Sequence, residues 1–326
     1  MDLQWRALTR ADATAMAELN NAVHAADPVG ELWAADEMDR SFDDAWRVAV
    51  PARFGAFADR KLIAFGMLFS RVAANPDHRM LLWGMVHPAF RRQGIGTEIV
   101  QRGLKAAPDL HERSFPDAEG LVVLELEDAP GSAELARACS FETGKRSLEM
   151  ARALPRDPAE FDAWIAAPGS GLVVSRFAPR YVEELRQVHN DSFVPYHPGA
   201  APVPAEAWER RFSHPTFRPG LSFLMLDSGT GEIGGYILSA CVTERTGHTG
   251  PHQVCLATIT THRGYRRRGV ATALIGAALS EAVVRGFETA SLDVDSDNPA
   301  GAFQVYERAG FTITHSATTY ARKIEE

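Results

Sequence analysis

Cysteine is scarce: the 326-residue chain has three, Cys139, Cys241 and Cys255. An odd number without CxxC spacing excludes a disulfide framework and a cysteine zinc cluster, so no metal site is expected. Long apolar runs are missing too. No stretch approaches the ~18 residues of a membrane helix. Met1 to Leu19 carries charge throughout instead of the apolar core of a secretory leader, so the expected compartment is the cytoplasm. Positive charge is not in excess. The net formal charge of −8 argues against a general nucleic-acid or anionic-membrane binder. No G-x-x-x-x-G-K-[ST] occurs and no G-x-G-x-x-G is completed, which disfavours a P-loop nucleotidase and weakens a dinucleotide fold.

What is present is an internal repeat, the feature most decisive for a fold reading. Val86-His-Pro-Ala-Phe-Arg91-Arg-Gln-Gly94-Ile-Gly96-Thr97 matches Thr261-His-Arg-Gly-Tyr-Arg266-Arg-Arg-Gly269-Val-Ala271-Thr272 at an offset of 175 residues. Each block follows an apolar, strand-like run, Met80 to Val86 or Val254 to Ile259, and precedes a helical pattern. A second echo pairs Leu124-Glu-Leu-Glu-Asp128 and Phe141 with Leu292-Asp-Val-Asp295, Asn298 and Gly310-Phe311, at an offset of 170 counted between Asp128 and Asn298 and between Phe141 and Phe311. Two copies of one α/β unit explain the length better than one large domain. Pro155 to Pro158 and Pro168 to Gly171 punctuate the chain between them, so the expected domains are 1–154 and 171–326, with a linker at 155–170 that holds a short helix over Ala159–Ala167. Leu148 to Leu154 reads as the last strand of the first domain. The best supported helix is 271–285, where Leu274, Ile275, Ala278, Leu279 and Ala282 form one broad apolar face.

Arg266-Arg267-Arg268-Gly269-Val270-Ala271 links a strand to a helix. A turn at a helix N-terminus presents unpaired N–H groups and the positive end of the helix dipole, which together bind phosphate. Small residues at 269 and 271 let a pyrophosphate approach the main chain, and guanidinium groups add charge beside it. Arg91 to Gly96 repeats the construction with Gln93 in place of one arginine.

Arg-x-x-Gly-x-Gly/Ala between strand and helix resembles the acetyl-CoA-binding motif of the GNAT N-acetyltransferases. Asn298-Pro-Ala-Gly-Ala-Phe303-Gln-Val-Tyr306-Glu-Arg-Ala-Gly310-Phe311 resembles the other signature of that family. The tandem arrangement resembles the double-GNAT, mycothiol-synthase-like proteins. The resemblance implies an α/β (α+β) fold class: two tandem GNAT-like units, each a mixed central sheet flanked by helices, with a splayed central strand. It further implies that acetyl-CoA (coenzyme A) is the cofactor. Ile259, Thr260 and Thr261 would meet its pantetheine arm through main-chain groups. Arg266, Arg267, Arg268, Gly269, Val270, Ala271 and Thr272 would cradle its pyrophosphate. Asn298 and Phe303 would flank it, and Tyr306 would protonate the leaving thiolate. In the first repeat Val86, Arg91, Arg92, Gln93, Gly94, Ile95, Gly96 and Thr97 occupy the matching turn.

A free amine attacking a thioester needs an acid for the departing thiolate and a base for its own proton. Glu244 is the first choice for the base, ahead of His248 and His252, all near the turn before the central strand. Aligning Phe141 with Phe311 sets Ala136 opposite Tyr306, Asp128 opposite Asn298 and Ser140 opposite Gly310. The first repeat is therefore expected to keep the phosphate turn and lack turnover. The expected activity is acetyl transfer to a primary amine, with a small molecule as partner and neither nucleic acid nor membrane. The competing readings are a non-catalytic acyl-CoA sensor or scaffold and an aminoacyl-tRNA-using transferase. His189 to Pro219, with Tyr196, His197 and Trp208, is expected to shape the acceptor site.

Overall fold

The computed structural model describes residues 3–27, 32–40, 42, 52–70, 74, 76–195, 202–241, 252–296 and 301–324. It forms two compact units, residues 1–146 with 315–326 and residues 147–314. These will be called unit 1 and unit 2.

Unit 1 begins with β1 (Gln4–Ala7), α1 (Ala13–Ala26) and α2 (Ala35–Arg40). β2 (Ala52–Ala58), β3 (Lys61–Ser70) and β4 (Asp77–Val86) form a meander. α3 (Ile95–Ser114), β5 (Glu119–Glu127) and α4 (Ser132–Ala138) follow, and then β6 (Glu142–Ala153) begins. In unit 2, β7 (Leu172–Arg176), α6 (Val182–Phe193) and α7 (Ala205–Phe212) come after a short α5 (Asp162–Ile165). β8 (Phe223–Asp227), β9 (Ile233–Ala240) and β10 (Gln253–Thr261) form its meander. α8 (Val270–Val284), β11 (Thr289–Asp295), α9 (Ala302–Arg308) and β12 (Thr312–Lys323) complete the chain.

The two units share one strand order. Unit 1 runs β1-β2-β3-β4-β5-β12 and unit 2 runs β7-β8-β9-β10-β11-β6. In both, all neighbours are antiparallel except the β4/β5 and β10/β11 pairs. The last strand of each unit comes from the other repeat. Leu121 to Glu127 of β5 pair with Lys323 to Ala317 of β12, and Thr289 to Asp295 of β11 pair with Ala153 to Ser147 of β6. The expected boundary at 154/171 therefore separates the repeats but not the compact units. A strand read as closing the first domain instead completes the second, because either repeat's terminal strand satisfies the same ladder.

Asp128 explains part of how unit 1 holds its borrowed strand. Its carboxylate accepts from Ser316 Oγ at 2.6 Å, Thr318 Oγ1 at 2.7 Å and Arg146 Nε at 2.6 Å. The Ser316 hydrogen bond leads the causes that keep this carboxyl below the usual range. In unit 2, Arg152 of β6 donates to Ala309 O at 2.5 Å, and in unit 1 Arg322 of β12 donates to Cys139 O at 2.8 Å. The same contact thus recurs 170 residues apart, matching the offset of the downstream echo.

The segment read as a linker is packed rather than free. A 3₁₀ turn (Pro158–Phe161), opened by Asp157 Oδ1 accepting from Ala159 N at 2.9 Å, leads into α5. Phe161 is fully buried, and Trp164 and Ile165 pack on the same core. A Cβ on Gly276 would lie 2.9 Å from Trp164 Cβ, so α5 rests directly on α8. This second cover explains why α8 buries Ala273, Gly276 and Ala277 in addition to the one face legible in its sequence. Of the cysteines, Cys139 and Cys241 are buried, whereas Cys255 is half-buried.

Candidate active site

Each repeat turns from its central strand into a helix in the same way. A 3₁₀ turn (Pro88–Phe90 or Arg263–Tyr265) is followed by an arginine at positive φ, Arg92 at 61° or Arg267 at 62°. A left-handed glycine then caps the helix, Gly94 at φ 80° or Gly269 at φ 76°. Positive φ is costly for a side-chain-bearing residue, so two such arginines at equivalent positions mark a shape imposed by the fold. The turn leaves the first N–H groups of α3 and α8 without helical partners and aims them at the loop. This cradle suits a diphosphate. Ile95 and Val270 are buried anchors, while Arg92, Gln93, Arg267 and Arg268 are exposed. Arg91 and Arg266 brace the turn through the carbonyls of Val86 at 3.3 Å and Thr261 at 3.5 Å. Gly96 and Thr97, like Ala271 and Thr272, lie in the first helical turn.

The surroundings of the turns differ. Nothing lies within 4 Å of where a Gly94 Cβ would stand. A Cβ on Gly269 would meet the Ala167 carbonyl at 3.1 Å and Pro168 N at 3.2 Å. Gly269 is therefore needed for close approach as well as for its φ. A small cavity of about 200 Å³ lies beside it, lined by Trp164, Thr272, Ile275, Val305, Arg308 and Ala309.

Below the turns, the parallel strands part. β4 and β5 stay paired from Asp77/Glu119 to Leu81/Val123. β10 and β11 pair only from Gln253/Thr289 to Cys255/Ser291. At that point β10 bulges: Cys255 faces Ala240 and Thr258 faces Leu238, so one extra residue sits on β10. A bulge leaves main-chain groups unpaired and bends the strand. Ala257, at its centre, is exposed in the middle of a strand. β4 pairs with β3 without any shift. The sequence carries no glycine or proline at this bulge, so nothing in it signalled the feature.

Val254, Leu256 and Ile259 join the α8 core, while Tyr236 of β9 belongs to the cluster under α6 and α7. Tyr236 lies opposite Thr260 across the ladder, and Thr258 lies beside Arg211 of α7. The two hydroxyls thus face away from the α8 turn. Thr261, the last residue of β10, leads into the turn.

Tyr306 lies on α9, buried at 7% exposure with its ring 6.5 Å from that of Phe311. Burial pushes its phenol up to about 12, so it keeps its proton at neutral pH. Phe303 is half-buried against the α8 core one turn earlier. α4 and α9 match in register: Gly131 and Gly301 are both left-handed caps, and Ser140 and Gly310 both have positive φ. Ala136, fully buried, holds the Tyr306 position in unit 1. Glu244, His248, Asn298, Tyr196 and His197 lie outside the described residues. His252 stacks on Phe287 at 3.9 Å just before β10, three residues ahead of Cys255 and at the end of the strand away from the α8 turn. Trp164 and Pro168 lie outside the site residues expected from the sequence, and Arg211 lies within the 189–219 stretch expected to shape the acceptor site without being singled out there. The proline-glycine punctuation around 155–171 hid the packing of the first two.

A sheet with helices on both faces, an arginine-flanked anion cradle, strands that part beside it and a protonated phenol nearby has the form of an acyl-coenzyme-A-dependent transferase. The Acetyltransferase (GNAT) family model matches residues 15–117 and 182–311, and the chain belongs to that family. It is 29% identical over 250 residues to a mycothiol acetyltransferase of Mycobacteroides abscessus, covering 77% of each chain. The mycothiol acetyltransferase of Pseudarthrobacter chlorophenolicus is 24% identical over 297 residues, covering 86% of this chain and 87% of that protein. Among solved structures, a GCN5-related N-acetyltransferase from Sphaerobacter thermophilus shares the fold with a TM-score of 0.78, at 22% identity and 99% and 96% coverage. A tandem GNAT protein from the clavulanic acid biosynthesis pathway gives 0.73, at 18% identity and 100% and 99% coverage. Among the described residues no helix is long and apolar enough to cross a membrane, and no cluster of metal-ligating side chains occurs.

Proposed function

We propose that the chain transfers an acetyl group from acetyl-CoA to a primary amine of a small molecule, and that the chemistry takes place in unit 2. The observation that carries this reading is the pairing of the β10 bulge with Tyr306, set against the regular β4 and Ala136 of unit 1. When bound, the coenzyme supplies a thioester. Val270 to Thr272 and the Arg266 to Arg268 guanidinium groups hold its diphosphate through main-chain N–H groups and charge. The main-chain groups of the bulge lie where the strands part. An unpaired N–H there stabilises the negative charge that grows on the carbonyl oxygen as the amine attacks. Tyr306 stays protonated until the thiolate departs and then gives up its proton. No covalent enzyme intermediate is needed. Glu244 is the proposed base. Unit 1 keeps an open turn at Gly94 without an acid, which supports coenzyme binding there without turnover.

Tyr306→Phe tests the assignment. It is expected to lower kcat by roughly 10–100-fold with the Kd for acetyl-CoA unchanged. Unaltered thiol release would remove the acid role.

A further inference from the structure

The face of the β9–β10 sheet turned away from α8 differs between the repeats in a way that the coenzyme does not explain. The ladder registers align Phe65 with Tyr236, Met85 with Thr260 and Trp83 with Thr258. On the helices above, Asn21 clasps the main chain of Trp33 at 2.9 and 3.0 Å, and Asn190 clasps that of Val203 at 2.8 and 3.4 Å. The scaffold is the same and the filling is not. In unit 1, Trp33 packs at a tilt on Trp83, and Trp83 meets Phe65 edge-on, with centroids 5.1 and 5.2 Å apart, so that rings line the face. In unit 2, Val203 and Thr258 stand at the two tryptophan positions, which removes both indoles.

Polar groups take their place. Tyr236 Oη lies 2.7 Å from His189 Nδ1, and both residues are buried. Thr260 and Ser192 are buried at 4% and 8% exposure. The Thr260 hydroxyl leans on the Tyr236 phenol, while that of Ser192 has no hydrogen-bond partner among the described residues. A buried hydroxyl is rarely left unpaired, so Ser192 points to a ligand that completes it. Arg211 of α7 sits at the edge of this patch. Its guanidinium is over the Trp208 ring at 5.0 Å and 3.5 Å from Thr258 Oγ1, next to the bulge. Protein packed around it lowers its pKa, yet the side chain stays open to solvent. Among the described residues no carboxylate lies within ion-pair distance of it. It is on the far side of the sheet from the Arg266–Arg268 turn, so the coenzyme diphosphate does not account for it.

We infer that this polar face is the acceptor pocket, and that Arg211 selects an amine that also carries an oxyanion, a carboxylate or a phosphate. The inference rests on the N-acetyltransferase reading above and adds the class of acceptor. A charge-assisted pair to the guanidinium orients the acceptor, and the Ser192 hydroxyl completes its polar contacts. The amine then faces the bulge from the side opposite to α8.

The test is thiol release by the full-length protein on matched acceptors: phenylalanine against phenethylamine, and phosphoethanolamine against ethanolamine. The expected kcat/KM is about tenfold or more higher for the oxyanion-bearing member of at least one pair, the size of one charge-assisted hydrogen bond. The pair that responds distinguishes carboxylate from phosphate. Arg211→Gln should bring the ratio towards one by raising KM, and Arg211→Lys should keep part of it. Equal kcat/KM within both pairs, rejection of every oxyanion-bearing amine, or a selectivity ratio unmoved by Arg211→Gln overturns the inference while leaving acetyl transfer intact. Failure of calorimetry to detect acetyl-CoA binding overturns the parent reading, and this inference with it.

Discussion

The two repeats build sheets of one strand order and cap their helices with the same left-handed glycine, but they diverge at three places around the strand gap. Unit 2 has a bulge where unit 1 has a regular ladder, a phenol where unit 1 has a methyl group, and a valine and a threonine where unit 1 has indoles. The anion cradle alone is common to both. The shared turn is built by the backbone alone, whereas the differences lie in a few side chains and one extra residue in a strand; on the proposed function, the first would hold the coenzyme and the second would make it react.

The strongest way to disturb the comparison is to remove a borrowed strand. Deletion of 315–326 strips β12 from β5 and frees Asp128 from Ser316 and Thr318. Unit 1 should then lose its cooperative unfolding transition in calorimetry. If both transitions persist, the exchange of strands between repeats is wrong.

A smaller effect comes from the wall unique to unit 2. Trp164→Ala should lower the stability of unit 2 by about 2 kcal/mol, less than a fully buried tryptophan because Trp164 is half-buried. Denaturant melts followed by unit should show this change without movement of the unit 1 transition.

An effect of similar size, confined to one pH window, follows acid. In unit 1, His78 is fully buried, with Nε2 2.8 Å from Ser70 Oγ and Nδ1 2.7 Å from His111 Nδ1. Burial first, and the neighbouring His111 second, push its pKa down to about 4. The unfolded chain takes up this proton near pH 6.5, but the folded unit resists until about pH 4. The stability is therefore fully present above pH 6.5 and lost as the pH falls through that window, on the order of 1–3 kcal/mol. His78→Phe should flatten the pH dependence of the unit 1 transition, and a slope that survives would assign it to another group.

Much of this architecture was legible in the chain. The 175-residue echo located both turns, because the left-handed cap at Gly94 and Gly269 favours glycine and the arginines beside it repeat at the same spacing. Phe141 and Phe311 fixed the register of α4 on α9, and hence Ala136 opposite Tyr306. Other features left no mark. A borrowed strand satisfies the same apolar alternation as a local one, so Leu148 to Leu154 read as belonging to the first unit. The β10 bulge involves Leu256 and Ala257, residues at home in any strand. Arg211 stands among ordinary helical charges, and its position beside Thr258 arises only from tertiary packing.

Paired charge reversal at the two equivalent turns tests most directly where the reaction takes place. Arg267→Glu and Arg92→Glu place the same carboxylate at the same positive φ, 62° and 61°, so any backbone cost is matched. Steady-state thiol release should show KM for acetyl-CoA raised by roughly tenfold or more in Arg267→Glu, from loss of a charge-assisted contact and like-charge repulsion. In Arg92→Glu it should stay within about twofold of the parent, a change worth less than ~0.5 kcal/mol. The opposite pattern, with Arg92→Glu impaired and Arg267→Glu intact, would place turnover in unit 1 and contradict the account.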